Sequence, residues 1–489
     1  MDRYKKISWI LCAAGMAALF GNCAGTYIGS VSAATDTVRY EAEDAALSGM
    51  SAVTESGWSG GGYVRMEGTG SCTFTISVKS SGFWDLTFVS SGMGSEKYND
   101  VSVDGNNIGQ FRSESEKISS SRMRGTYLTK GEHKVAVTPS WGWIRLDCLD
   151  VAPAAVDTAS LYKVSPTLSN KNASSRTKRL MKYLCKNYGK NVLSGQQCEG
   201  MESAEFRAIR EATGKSPAIM GLDLMDYSGS RVSRGSKSKT VEQAIAFDKA
   251  GGIVTICWHW CAPDKYIKQG NDKDGHPNWW GAFYTDHVTG LKLSEIMADP
   301  ESEGYKLLLD DIDRAAEQLK ILKEHDIPVL FRPLHEASGG WFWWGADGAD
   351  AYKALWKLMY ERMTEHHGLD NLIWVYNAQS ADWYPGDEYV DIIGEDIYPG
   401  ERQYDPQSGR FLDAAAYPGS HKIVTLSENG CLFDIDGAKE RGTLWSWFCV
   451  WGGEFCVNGK KLSSTYTEEK MWKEVYSHEN VITLDEVKY

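Results

Sequence analysis

Between residues 191 and 451 the chain repeats one pattern eight times, and this repetition restricts the possible folds more than any other feature. Short apolar runs at 191–197, 218–225, 253–260, 328–336, 372–379, 390–398, 422–429 and 445–451 alternate with longer amphipathic stretches, clearest at 202–213, 241–250, 303–325 and 350–367. Apolar residues at helical spacing mark those stretches as one-sided helices. Gly214, Gly251 and Gly368 stand where three of them must stop, because glycine readily adopts the left-handed conformation that closes a helix. Eight successive strand–helix units predict an α/β fold, a closed (β/α)8 TIM barrel whose chemistry sits at the C-terminal ends of the strands.

The first part of the chain has a different period. Residues 39–152 show short alternating runs at 72–78, 84–90, 101–103, 134–138 and 143–151, separated by Gly, Ser and Asn clusters. That pattern predicts an antiparallel, jelly-roll-like β-sandwich, with a hairpin turn at Asp104-Gly105 followed by Asn106-Asn107. Around Pro153, Ala154, Ala155 and Ser160 the alternation is lost and no helical stripe replaces it. The predicted division is therefore a sandwich at 34–152, a linker at 153–164 and a barrel at 165–489. Ahead of the sandwich, Arg3, Lys5 and Lys6 precede an apolar run at 7–20 that is too short to span a bilayer comfortably, and Val31-Ser32-Ala33 offers small residues for cleavage. Residues 1–33 are read as a secretory signal, which places the mature protein outside the cell. Gly21-Asn22-Cys23 lacks the small residue expected just before a lipoprotein cysteine, and no later segment reads as transmembrane. Nine cysteines remain in the mature chain, too sparse for a disulfide framework, and any pairing among them is unreadable.

Composition narrows the partners. Against 52 Lys and Arg stand 65 Asp and Glu, a formal net charge of −13. Such a field repels phosphate backbones and anionic lipid heads, which argues against nucleic acid and membrane surfaces. The 19 Trp, 24 Tyr and 14 Phe point instead to a neutral polyhydroxylated ligand whose apolar faces need stacking, that is, a carbohydrate.

Two carboxylates stand where barrel chemistry is expected. The fourth run ends Phe331-Arg332-Pro333-Leu334-His335-Glu336, and the seventh passes through Thr425-Leu426-Ser427-Glu428-Asn429-Gly430. A glycosidase needs one carboxyl that stays protonated to serve the leaving oxygen and one that is ionised to attack the anomeric carbon. Ordinary solvated glutamate is the competing explanation. It suits Glu336 poorly, because the aromatic run Trp341-Phe342-Trp343-Trp344 follows, whereas for Glu428 alone the two explanations stand nearly even.

These residues resemble a known family. Arg332-Pro333-Leu334-His335-Glu336 with Trp341-Phe342-Trp343-Trp344-Gly345, together with Ser427-Glu428-Asn429-Gly430, is similar to glycoside hydrolase family 26, the β-mannanases among the clan A barrels. Trp258-His259-Trp260 and Asp396-Ile397-Tyr398-Pro399 fit the same pattern. The resemblance implies Glu336 as acid/base and Glu428 as nucleophile, with Tyr398 bonding the nucleophile and His259 and His335 lining the sugar site beside the scissile bond. Trp260, Trp344 and Trp451 are candidate sugar contacts, although Trp445 and Trp447 alternate with Trp451 and compete for its role. Many clan A relatives carry asparagine before the acid/base, and the histidine at 335 looks like the mannanase variant for a sugar with an axial 2-hydroxyl. Trp279 and Trp280 are left unassigned.

The sandwich also resembles a family. Tyr40-Glu41-Ala42-Glu43-Asp44-Ala45 and Trp141-Gly142-Trp143-Ile144-Arg145-Leu146-Asp147 are similar to carbohydrate-binding module family 35. That resemblance implies binding without catalysis, with Glu41, Glu43 and Asp147 as ligands of a structural calcium. A charged, solvated edge strand is the alternative for these acids. Trp141 is the candidate sugar contact, and Trp143 could equally be core. Elsewhere, Cys257, His259 and Cys261 alternate and could share one face as zinc ligands, but no fourth ligand is evident and a satisfied histidine beside ordinary cysteines is preferred.

Taken together, the residues and resemblances imply a secreted, monomeric, retaining endo-β-1,4-mannanase acting on mannan, glucomannan or galactomannan. The cleavage itself needs no cofactor. The alternatives are the same barrel acting on mixed-linkage β-glucan or β-1,3-xylan, and a non-catalytic polysaccharide-binding protein with a decayed site. The presence of both Glu336 and Glu428 argues against the last.

Overall fold

A computed structural model describes residues 36–489; the predicted signal at 1–33, with Cys12 and Cys23, lies outside them. The described chain divides into two compact units. The first runs to Ser160 and takes in Tyr398–Asp413 and Phe433–Thr443; the second comprises Leu161–Ile397, Ala414–Leu432 and Leu444–Tyr489.

The N-terminal part is a sandwich of two antiparallel sheets. One orders its strands Ser51–Thr54, Gly62–Met66, Ile144–Pro153, Gly82–Gly92 and Ser119–Leu128, and Val38–Glu41 also pairs with Ile144–Pro153. The other orders Ala46–Ser48, Ser71–Val78, Gly131–Trp141, Lys97–Val103 and Asn106–Ser113. Alternation drives the packing. Cys72, Phe74, Ile76 and Val78 all turn inward from one strand and meet Val135, Val137, Leu86, Phe88 and Leu149 in a single apolar core. Phe88 and Phe111 stack across it at 4.4 Å. The hairpin turn falls where the sequence places it, since Val103 pairs with Asn106 while Asp104 and Gly105 take left-handed φ values of 51° and 85°. Strands such as Ser119–Leu128 and Asn106–Ser113 escaped the sequence reading because hydroxyls, arginines, amides and glycines interrupt their apolar alternation.

The second unit holds a closed parallel barrel. Its strands are Gly195–Gln197, Ile219–Asp223, Ile253–Cys257, Val329–Arg332, Leu372–Tyr376, Ile392–Ile397, Ile423–Asn429 and Phe448–Val450, with Gln196 pairing Val450 to close the ring. All eight lie within the predicted runs, but several stop earlier. Residues 258–260 and 333–336 have left the ladder, and in the second of these the backbone turns, with Leu334 and Glu336 at left-handed φ values. Between strands lie helices Ala204–Thr213, Thr240–Lys249, Glu303–Glu324 and Ala349–Glu361, the last running into a π turn at Arg362–His366. Ser203 and Ser302 cap two N-termini through their side chains, and Gly214 ends the first helix at φ 74°. The nine described cysteines are all free thiols. Among the described residues no helix is long and apolar enough to cross a membrane.

Candidate active site

The chemistry gathers at the C-terminal end of the barrel. After the fourth strand the chain turns sharply, with Leu334 at φ 53° and Glu336 at φ 52°. A left-handed non-glycine residue costs roughly 1–2 kcal/mol, so this turn is held by its surroundings. The Glu336 backbone N–H donates to Asn377 O at 2.7 Å, and Trp344 Nε1 donates to His335 O at 2.9 Å. Gly345 lets the loop close, because a Cβ there would overlap the Ala337 carbonyl. Glu428 instead remains within the seventh strand, where a register shift after Glu395 sets Asp396 opposite it.

Arg332 ties these strands together. Its Nη1 donates to Asp396 Oδ2 at 2.6 Å and to Asn377 Oδ1 at 2.8 Å, and its Nη2 donates to Glu428 Oε2 at 2.6 Å. Arg332, Asp396 and Glu428 are all buried. One carboxylate oxygen each from Glu336, Asp396 and Glu428 lie within 4.8 Å of one another. A single guanidinium fully offsets one charge, and three buried carboxyls cannot all ionise around it. Burial first, and then the charge of Glu428, push Glu336 up to about 8, while Arg332 and a 3.0 Å bond from Trp341 Nε1 to its Oε2 work in the other direction. Burial likewise holds Asp396 well above the ordinary carboxylate range despite Arg332.

Beside the carboxyls stand two histidines. His259 Nδ1 lies 2.6 Å from Asp223 Oδ2, and His259 Nε2 lies 3.2 Å from His335 Nε2. Burial, then the charge of Arg332 and the adjoining His259 ring, keep His335 well below its usual value and therefore neutral. Cys257, His259 and Cys261 do not come together as one alternating set. Cys261 has left the strand, which ends at Cys257, and its sulfur accepts instead from Arg231 Nε at 3.3 Å.

The aromatic residues divide. Trp451 follows the eighth strand directly, with its ring centroid 5.8 Å from that of His259, whereas Trp445 and Trp447 precede the strand and lie toward its other end. Trp260 is fully buried and turns from the carboxyls toward the helical layer, its indole N–H donating at 2.8 Å to Asp311 Oδ2 on helix Glu303–Glu324. Trp344 is buried, stacked on Phe342 at 4.6 Å with its N–H donating to the His335 carbonyl, so it supports His335. Trp341, quoted in the aromatic run without a role of its own, is half-buried and touches Glu336 directly. Tyr398 lies immediately after the sixth strand and is half-buried. Arg332, Asp396, Asp223 and Trp341 had no role assigned from the sequence; all but Asp223 stand inside the quoted motifs, which was the available signal.

In the sandwich, Ser59 Oγ donates to Glu41 Oε2 at 2.6 Å or to Asp147 Oδ1 at 2.9 Å, and Ser59 N–H donates to Asp147 Oδ1 at 2.9 Å. Glu43 turns both carboxylate oxygens into the same place, buried and without a hydrogen-bond partner. A Cβ on Gly60, which has φ 59°, would overlap Glu43 Oε1 and crowd the Glu41 carboxyl, so these two acids close on a cradle only glycine leaves open, while Glu41 and Asp147 have oxygens within 4.8 Å of each other. Trp141 is 50% exposed, with Lys97 Nζ 4.8 Å from its ring centroid. Trp143 is also 50% exposed and is therefore not core.

With this geometry in hand, comparison with known proteins is direct. The profile of glycosyl hydrolase family 26 matches residues 169–486, and that of carbohydrate binding module family 35 matches residues 38–154. A mannan endo-1,4-beta-mannosidase of Thermothelomyces thermophilus is 36% identical over 495 residues, covering 99% of this chain and 98% of that protein. Mannan endo-1,4-beta-mannosidase A of a Piromyces species is 35% identical over 471 residues, covering 94% and 74%. Among solved structures, the Podospora anserina GH26-CBM35 beta-(1,4)-mannanase is 37% identical with a TM-score of 0.62, covering 92% of this chain and 98% of that one.

Proposed function

This chain belongs to glycosyl hydrolase family 26, and we propose that it is a secreted endo-β-1,4-mannanase that cleaves mannan, glucomannan or galactomannan with retention of configuration. One observation carries the mechanistic part: oxygens of Glu336 and Glu428 lie within 4.8 Å of each other, which suits the closely set carboxyls of retaining glycosidases, about 5–5.5 Å apart, better than the about 6.5–9.5 Å of inverting ones. Glu428 is the nucleophile, with Arg332 holding one oxygen and compensating its charge. Glu336, kept protonated at neutral pH, gives its proton to the leaving oxygen.

The second half of the cycle follows from the same electrostatics. Once Glu428 is esterified to the sugar its negative charge is gone, and the part of the upward push on Glu336 that it added to burial goes with it. Arg332 then favours the ionised form, so Glu336 becomes the base that activates water. His259 and His335 bond sugar hydroxyls, Trp451 supports the ring, and Tyr398 acts on the nucleophile side of the site.

In the sandwich, Trp141 contacts polysaccharide and holds the enzyme on insoluble substrate. Glu41, Glu43 and Asp147 fit a hard cation, since the buried and unpartnered oxygens of Glu43 lack the compensation a carboxylate needs. Bound there, calcium would clip the chain's start to the strand that ends the module.

The test is reducing-sugar release from mannan, glucomannan, galactomannan, mixed-linkage β-glucan and β-1,3-xylan, with proton NMR of the first products. Turnover of the mannans with the β-anomer appearing first is expected. Prior appearance of the α-anomer, or preference for a glucan or xylan, overturns the mechanism or the substrate class respectively.

A further inference from the structure

Asp223, at the end of the second barrel strand, makes no contact with the reacting carboxyls, yet its hydrogen bonds dictate where protons stand two residues away. Its Oδ1 accepts the backbone N–H groups of Met225 at 2.8 Å and His259 at 3.0 Å, and its Oδ2 faces His259 Nδ1 at 2.6 Å. Although burial opposes it, the neighbouring His259 and these amide donors hold Asp223 below the usual carboxylate range. An ionised carboxylate only accepts, so His259 Nδ1 carries a hydrogen. With His259 as a neutral imidazole, its other nitrogen is then a bare acceptor. His259 Nε2 stands 3.2 Å from His335 Nε2, and two lone pairs would repel at that distance, so His335 Nε2 carries the hydrogen between them. His335 is neutral, which leaves its Nδ1 bare, and that atom is buried with no partner.

We propose that Asp223 is a positioning residue that acts through His259 to present His335 Nδ1 as an unpaired acceptor beside the catalytic pair, making this subsite select a substrate hydroxyl that donates. A buried acceptor without a donor is costly, and a donating hydroxyl relieves that cost on binding. Sites of this kind discriminate strongly against analogues that cannot make the bond. The hydroxyl as ligand rests on the glycosidase reading above; the order of protons does not.

Asp223→Asn tests the relay because it reverses the order without changing shape. The two backbone N–H groups require the amide oxygen on their side, which turns the NH2 toward His259 Nδ1. His259 must then accept at Nδ1 and donate from Nε2, His335 must accept at Nε2, and His335 Nδ1 becomes a donor.

The measurement is ring-nitrogen NMR of uniformly ¹⁵N-labelled full-length protein at pH 8, with His335 assigned by its loss in His335→Gln. In the unsubstituted protein His335 Nδ1 should resonate as an unprotonated nitrogen and His335 Nε2 as a protonated one, and in Asp223→Asn the two should exchange. A protonated Nδ1 in the unsubstituted protein overturns the proposal without any variant having to fold, and so does an unchanged pattern in Asp223→Asn. Kinetics supply the second readout. Aryl β-mannobiosides with single hydroxyls replaced by fluorine, which cannot donate, should include one that is poor for the unsubstituted enzyme. Its penalty in kcat/KM relative to the parent should shrink about tenfold in Asp223→Asn, a change of ~1.4 kcal/mol. An equal penalty in both proteins would reduce Asp223 to scaffolding. Failure of the unsubstituted enzyme to cleave the parent mannobioside would instead count against the glycosidase reading and leave the NMR result standing.

Discussion

Trp341 Nε1 donates to Glu336 Oε2 at 3.0 Å, while Oε1 of the same carboxyl is buried and has no partner. The indole occupies the lone pair of one oxygen, so the acid's proton belongs on the other. Glu336 is thereby given one direction in which to donate, set by a ring five residues along the chain.

This relationship makes a prediction about pH. With Glu336 at about 8, kcat/KM should fall on the basic side near that pH as the acid loses its proton. Trp341→Phe removes a bond that favours the ionised form, so the basic limb should move upward, by about half to one pH unit for a bond of ~1 kcal/mol. A limb that moves downward would mean the indole bonds the protonated form instead.

The raised acid also carries a stability cost of known sign. An unfolded glutamate ionises near its ordinary value, about 4.3, whereas the folded one waits until about 8, so the folded state loses stability as pH rises between those values. Glu336→Gln removes the titration while keeping the shape. At pH 7 it should raise Tm by about 2 °C or more, and the gain should vanish near pH 4. Calorimetry at the two pH values checks this; a variant that melts lower at pH 7 would contradict the sign.

The two glutamates should fail differently. Glu428→Ala removes the nucleophile and should abolish turnover of every substrate, by roughly 10⁴-fold or more. Glu336→Ala should still form the glycosyl-enzyme from an aryl mannobioside with a good leaving group, giving a burst and then slow turnover. Azide, which needs no base, should restore that turnover and give the β-glycosyl azide. Rescue of Glu428→Ala alone, or an α-azide from Glu336→Ala, would show the roles to be reversed.

Calcium should matter to the sandwich and not to the barrel. A site filled at 100 times its Kd stabilises the folded module by about 2.7 kcal/mol, so excess chelator should lower one of two calorimetric transitions and leave the other in place. In Glu43→Gln the chelator should have no further effect, because the buried oxygens that required compensation are no longer both anionic.

Removing the exposed ring of Trp141 should separate targeting from catalysis. Trp141→Ala in the full chain should lower retention on insoluble mannan at least several-fold while kcat/KM on soluble mannan stays within about twofold, since tethering raises local concentration only at a surface. Equal losses on both substrates would argue against a targeting role.

Much of this was legible in order of residues alone, and for a common reason. Period-two alternation, helical spacing and a glycine at φ 74° after Thr213 are properties of neighbours along the chain, so the eight barrel strands, the sandwich and the turn at Asp104-Gly105 could be located before any contact was known. The placement of Glu336 and Glu428 at the barrel mouth followed, because strand order alone places strand ends there. What tertiary structure decided is every property that needs a partner from a distant strand. Arg332 meets Asp396 and Glu428 across 64 and 96 residues, and Asp223 meets His259 across 36. Trp260 sits within a fitting motif yet turns to a helix 51 residues on, and Trp143 proved exposed where a core role stood equally open. Ionisation belongs to the same class: the proton on Glu336 is held by burial and by a charge from another strand, and neither exists until the barrel closes.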